Sequence, residues 1–147
     1  MKFESETAAK AFLVFGCLLA LCSPGGCNIV VNEFELSPPD DTTIWVELYN
    51  TADEAVNIDG WMIKITDEAW EGPIYLEGSI EPRGFLAVDG QESWMTTGNG
   101  TVYLYDASGA EVDKTPQHGD NEHNDLTYGR QPDGKDTDTR ADFGYTM

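Results

Sequence analysis

From Asn28 onward the chain nowhere sustains apolar residues at helical spacing over three turns, which constrains its fold more than any other feature. It breaks instead into short alternating runs divided by turn residues. Residues 43–49 (TIWVELY) put Ile44, Val46 and Leu48 on one face and Trp45, Glu47 and Tyr49 on the other. Residues 61–66 (WMIKIT) repeat the pattern, with Trp61, Ile63 and Ile65 expected inward and Met62 and Lys64 outward. Further runs lie at 29–36, 74–76, 85–88, 101–105, 111–114 and 126–128, with a last candidate at 142–145. Between them stand Pro38-Pro39, Asp59-Gly60, Pro82-Arg83-Gly84, Gly98-Asn99-Gly100, Ser108-Gly109 and Pro132-Asp133-Gly134. Proline cannot donate to a ladder, and Gly, Asn and Asp accept the positive φ that tight turns require. About eight or nine short strands in the 120 residues from Asn28 predict one antiparallel β-sandwich.

The first 27 residues are of another kind. Residues 11–22 (AFLVFGCLLALC) are twelve consecutive apolar or small residues behind a polar start. As a helix they would span about 18 Å, well short of the ~30 Å bilayer core, so they read as the apolar region of an export signal. Residues 1–27 are therefore expected to be a signal peptide or lipoprotein-type leader, and 28–147 the folded domain. All three cysteines, Cys17, Cys22 and Cys27, lie in the leader. The domain must hold together without a disulfide. Cys22 and Cys27 are the lipidation candidates, an acyl chain there being the one expected link to a membrane.

Charge limits the partners. The chain carries 8 Lys and Arg against 27 Asp and Glu, a formal −19, and the leader's two lysines and two glutamates cancel, so the whole excess belongs to the domain. Such a surface repels phosphate backbones, which excludes nucleic acid. It also repels itself in dilute salt: a salt-rich or surface environment would predict a melting temperature that rises with added NaCl, and the alternative is that the acidity simply maintains solubility.

Candidate chemistry is sparse. Residues 118–125 (HGDNEHND) bring two histidines and three carboxylates together, ligand types that zinc accepts, but their spacing fits neither H-E-x-x-H nor a zinc-finger pair and reads better as a polar loop. Asp133, Asp136 and Asp138 form an oxygen-rich run that suggests calcium, although without the order or closing Glu of an EF-hand loop. Asn99-Gly100-Thr101 is a glycosylation sequon, expected in an exposed turn. No serine elbow, no cysteine beyond residue 27 and no phosphate-cradling glycine loop is present, so neither an enzyme nor a cofactor is expected. Trp45, Tyr49, Tyr103 and Tyr105 alternate with Val46, Leu48, Val102 and Leu104. If both faces of these strands are apolar, one offers a contact patch for a partner or a sugar.

Several ordered motifs resemble the lamin tail domain, the immunoglobulin-like module of nuclear lamins and of many secreted bacterial and archaeal proteins. They are Ile29-Val30-Val31-Asn32-Glu33 in the first run, Trp45-Val46-Glu47-Leu48-Tyr49-Asn50, Asp59-Gly60-Trp61, Val102 to Asp113 with its D-x-x-G turn, and Tyr128-Gly129-Arg130. The residues have readings of their own: Trp61 as a buried aromatic worth about 2–3 kcal/mol, Asn50 as a strand-ending turn residue, and Asn32, Glu33 and Glu47 as cross-strand hydrogen-bonding groups. The resemblance implies an immunoglobulin-like sandwich and a non-catalytic binding or scaffolding module, secreted or at the cell surface, that contacts protein or cell-envelope polymer. The alternative is an accessory calcium- or carbohydrate-binding domain supporting an extracellular hydrolase. With no coiled-coil rod seen before the domain, filament assembly is not expected to carry over from the family.

Overall fold

The computed structural model describes residues 28–39, 43–67, 69–91, 99–119 and 123–146. Among them the backbone forms twelve strands: β1 (Ile29–Glu35), β2 (Trp45–Asn50), β3 (Val56–Asn57), β4 (Met62–Asp67), β5 (Ala69–Tyr75), β6 (Ser79–Ile80), β7 (Phe85–Asp89), β8 (Asn99–Tyr105), β9 (Glu111–Lys114), β10 (His118–Gly119), β11 (Thr127–Arg130) and β12 (Phe143–Thr146). A single 3-10 turn, Arg140–Asp142, precedes the last strand. The runs expected from alternation are all present. The additional strands β3, β6 and β10 have two residues each, too few to leave a period.

The first sheet has the order β12-β11-β1-β2-β7 and the second β10-β8-β4-β5, with β9 also pairing with β8. Every pairing among the described strands is antiparallel. The inner faces meet in one apolar cluster. Ile29, Val31, Phe34, Val46 and Leu48 come from the first sheet and Ile63, Ile65, Val102 and Leu104 from the second. Removing these side chains from water is the main stabilising term, about 1.5–3 kcal/mol for each large one.

Two polar details fix the strand ends. Asn50 is fully buried, not simply a turn residue. Its amide nitrogen donates to the carbonyls of Glu54 (2.8 Å), Ile80 (3.0 Å) and Glu81 (3.0 Å), and its oxygen accepts the Ala52 N–H (2.9 Å). One side chain thus ties the 52–54 turn to residues 80–81, where carbonyls would otherwise be buried unpaired. Gly60 turns at φ +76°, a conformation L side chains avoid, and its N–H donates to the Leu76 carbonyl (3.0 Å). Trp61 departs from expectation. It sits just before β4, half-buried against the edge of the core, and so contributes less than full burial would give.

Candidate functional site

With the inner faces committed to the core, chemistry falls to the outer faces. On the second sheet, Met62 of β4 lies opposite Tyr75 of β5 and Tyr105 of β8, and Lys64 lies opposite Tyr103, which faces Lys114 of β9. Tyr75 is 68% exposed. The rings of Tyr103 and Tyr105 stack nearly parallel, at 6° with centroids 6.2 Å apart. The Lys64 ammonium stands 5.7 Å from the Tyr105 ring centroid, and Lys114 pairs with Glu111 at 2.8 Å. Partial burial, with Glu111 and Tyr103 nearby, pushes the Tyr105 hydroxyl above its ordinary pKa. The result is a flat tyrosine-methionine surface edged by charge.

The outer face of the first sheet is acidic. The β1 register shifts between Val31 and Glu33, and this bulge sets Glu33 directly opposite Glu47. Like charges so placed repel. Neighbouring donors moderate the repulsion. Thr127 and Thr146 hydroxyls donate to Glu33, the latter at 2.6 Å, and the Asn32 amide donates to Glu47 (3.1 Å) and Asp133 (3.1 Å). Burial nevertheless pushes the Glu47 carboxyl up, with Glu33 and Asp133 adding to the shift against the Asn32 hydrogen bond. At the end of this face Trp45 lies between Glu35 of β1 and Asp89 of β7. An open cleft of about 580 Å³ runs beside it, bounded by Glu33, Asp125 and the Pro38-Pro39 pair.

Between the sheets lies a buried charge cluster that alternation alone does not signal. The Arg130 guanidinium, 1% exposed, meets the Asp113 carboxylate at 3.0 and 3.3 Å. It also donates to the Val31 carbonyl (2.8 Å), the Lys135 carbonyl (2.6 Å) and Asp136 (3.0 Å), and stands 4.7 Å from the Phe143 ring centroid. Asp113 accepts the N–H groups of Val31 and Lys114, each at 2.7 Å, which links β9 to β1 across the sandwich. Burial pushes its carboxyl up to about 6, against the pull of Arg130. Asp142 behaves oppositely. Burial opposes its charge, but hydrogen bonds from Thr137 and Thr139 and the Lys135 ammonium outweigh burial and hold it below the usual carboxylate range. The only sequence signals for this cluster were the motif positions of Asp113 and Arg130.

The remaining candidates disperse. Asp136 faces Arg130, Asp133 faces Asn32, and Asp138 is exposed at φ +55°. Among the described residues no three His, Cys, Asp or Glu side chains are placed to hold a metal ion. His118 belongs to the interior and not to a polar loop. It packs 4.5 Å from Tyr128, 5.0 Å from Phe143 and 5.3 Å from Phe34, and its Nδ1–H donates to the Pro116 carbonyl (2.7 Å). Burial lowers its pKa, which favours the neutral ring. His123 is exposed and hydrogen-bonds the Ser37 hydroxyl (2.8 Å), while Asp120 and Glu122 lie outside the described residues. Asn99 opens β8 half-buried, opposite Gly119, so the expected exposed turn is a strand end instead. The aromatics do not form one patch: Trp45 and Tyr49 lie on the first sheet, Tyr103 and Tyr105 on the second. The leader, with Cys22 and Cys27, lies outside the described residues.

A family model described as Lamin Tail Domain matches residues 23–119. The chain belongs to the lamin tail domain family. No curated protein matches it. The matched span of this lamin tail domain carries the tyrosine surface, Trp45 and Asp113. Arg130, Asp142 and the strands β11 and β12 lie beyond it. The antiparallel all-β architecture agrees with an immunoglobulin-like family and is compatible with a non-catalytic module.

Proposed function

We propose that this lamin tail domain is a non-catalytic binding or scaffolding module of the secreted prokaryotic type. It works outside the cytoplasm, secreted or at the cell surface, and engages a protein or cell-envelope polymer through its tyrosine surface. The observation that carries the reading is that exposed Tyr75 and half-buried Met62, Tyr103 and Tyr105 share one outer face, away from the core. Tyrosine suits such a task because it offers a large apolar contact with a polar tip at little entropic cost. The apolar leader of residues 1–27 supports export, and a lipid on Cys22 or Cys27 would hold the domain at a membrane. Glycosylation at Asn99 would require that side chain to be reached before or despite its packing in β8.

A second reading is an accessory carbohydrate-binding domain that assists an extracellular hydrolase. The near-parallel Tyr103 and Tyr105 rings favour it, since sugar rings stack on such planes. Its calcium variant has less support, because Asp133 and Asp136 already serve Asn32 and Arg130.

The test is binding of the purified mature protein to envelope fractions of its host, resolved into protein and polysaccharide. The replacements Tyr103→Ala and Tyr105→Ala together should lower the apparent affinity about tenfold while leaving the melting curve in place. Unchanged binding by the double variant would remove the surface from consideration. Intact mass of the native protein reports leader removal, acylation and glycosylation together.

A further inference from the structure

The acidic face of the first sheet carries a second site. Four features converge at the Trp45 cleft. Among the described residues its lining includes Glu33, Glu35, Asp89 and Asp125 and no basic residue. Trp45, flanked across the ladder by Glu35 and Asp89, is only half-buried and supplies an aromatic wall. The Pro38-Pro39 pair makes the other wall rigid, so little freedom is lost when a ligand enters. The sheet beneath is itself poised for positive charge, because Glu33 is held opposite Glu47 with only neutral donors between them.

A cleft lined by one sign of charge concentrates its field on whatever enters. Among the described residues the carboxylates are not grouped to hold a bare metal ion. A basic side chain does fit: its apolar stem lies along the indole and proline walls while its charged head meets the carboxylates, and a cation over Trp gains further attraction. The cleft is open, so the group can arrive on an extended chain. We propose that this cleft docks a basic, extended segment of a partner protein, seating a lysine or arginine side chain against Trp45. The site is separate from the tyrosine surface.

The probe is a short fluorescent peptide alternating proline with lysine, titrated into the full chain as secreted, with a norleucine version as the neutral control. Saturable one-to-one binding that weakens with NaCl is expected, with no binding of the neutral peptide. Trp45→Ala, and separately the pair Asp89→Asn with Asp125→Asn, should each weaken it about tenfold, and the asparagine pair should also flatten the salt dependence. Glu77→Gln, one charge removed from an exposed position outside the cleft, and Tyr103→Ala should leave it unchanged. Circular dichroism of each variant separates lost binding from lost fold, and the asparagine pair, at two exposed positions, keeps the test valid if Trp45→Ala unfolds. Three outcomes overturn the proposal: no saturable binding, equal loss with Glu77→Gln and with the cleft variants, or displacement of the peptide by spermidine at the same concentration, which would mark a general amine trap.

Discussion

The two outer faces of this sandwich are built by the same rule and carry opposite chemistry. On the second sheet the outward positions hold Tyr75, Met62, Tyr103 and Tyr105, with Lys64 and Lys114 beside them. On the first they hold Glu33, Glu47, Trp45 and Asp89, with Tyr49 stacked on the exposed Phe85 at the far end. Both sets alternate with Val, Ile, Leu and Phe that face a shared core. Alternation thus decides which residues leave the interior and says nothing about what they do there. A face acquires its character only when strands distant in sequence become neighbours, as Glu33 and Glu47 do across β1 and β2.

The largest effect would erase the comparison altogether. Replacing Arg130 with Ala leaves Asp113 and Asp142 buried without their guanidinium, and loss of one partner of a buried pair costs about 3–5 kcal/mol. Denaturant unfolding should show that loss, and binding at both faces should fail together. A variant that unfolds as the wild type does would mean that the cluster adds nothing to the interior on which both faces rest.

The pH dependence is next, and its sign differs for the two acids flanking Arg130. Asp113 ionises near 3.8 when unfolded and about 6 when folded, so between these values the folded state holds the extra proton and stability falls as pH rises. Asp142 is held below 3.8 in the fold, so its contribution is complete above that value and is lost as pH falls beneath it. From these two groups stability should therefore be greatest at a pH of about 4, falling below it as Asp142 loses its contribution and falling toward about 6 as Asp113 ionises. Asp142→Asn should flatten the acid limb; an unchanged limb in that variant would contradict the assignment.

Smaller changes separate the faces. The Tyr103 and Tyr105 double variant should lose envelope binding about tenfold yet bind the basic peptide normally, and Trp45→Ala should do the reverse. If either variant disturbs both activities, the faces are not independent. Smallest of all, Glu47→Gln removes the charge opposite Glu33 and should stabilise the protein by about 0.2–1 kcal/mol in dilute salt. It should also reduce the rise of melting temperature with NaCl, read by calorimetry over a salt series. A wild-type melting temperature indifferent to salt would show that the acidic face is already relieved by its donors.

Much of the fold was legible because its signals are local. Ile44, Val46 and Leu48 are buried and Trp45, Glu47 and Tyr49 half-exposed, as a period of two requires. The turn at Gly60 needed only a glycine at positive φ. Trp61 does pack against the core, but only half-buried, because it stands just before the strand and not within it. His118 was read as part of a polar loop because its neighbours in sequence are polar, whereas its neighbours in space are Phe34, Tyr128 and Phe143. The run of aspartates at 133–138 resembles one ligand set, yet Asp133 meets Asn32, 101 residues away, and Asp136 meets Arg130, 6 residues away, while Asp138 stays exposed.

By itself the sequence determined a cysteine-free antiparallel sandwich, because the side-chain period, the breaking power of proline and the positive φ of glycine act over a few residues and need no partner. Tertiary structure alone decided that Arg130 would sit between Asp113 and Asp142, that Asn50 would bind both the 52–54 turn and residues 80–81, and that one outer face would gather tyrosines and the other carboxylates. Those outcomes depend on which strands become neighbours and on the low dielectric between them, and a linear pattern contains neither.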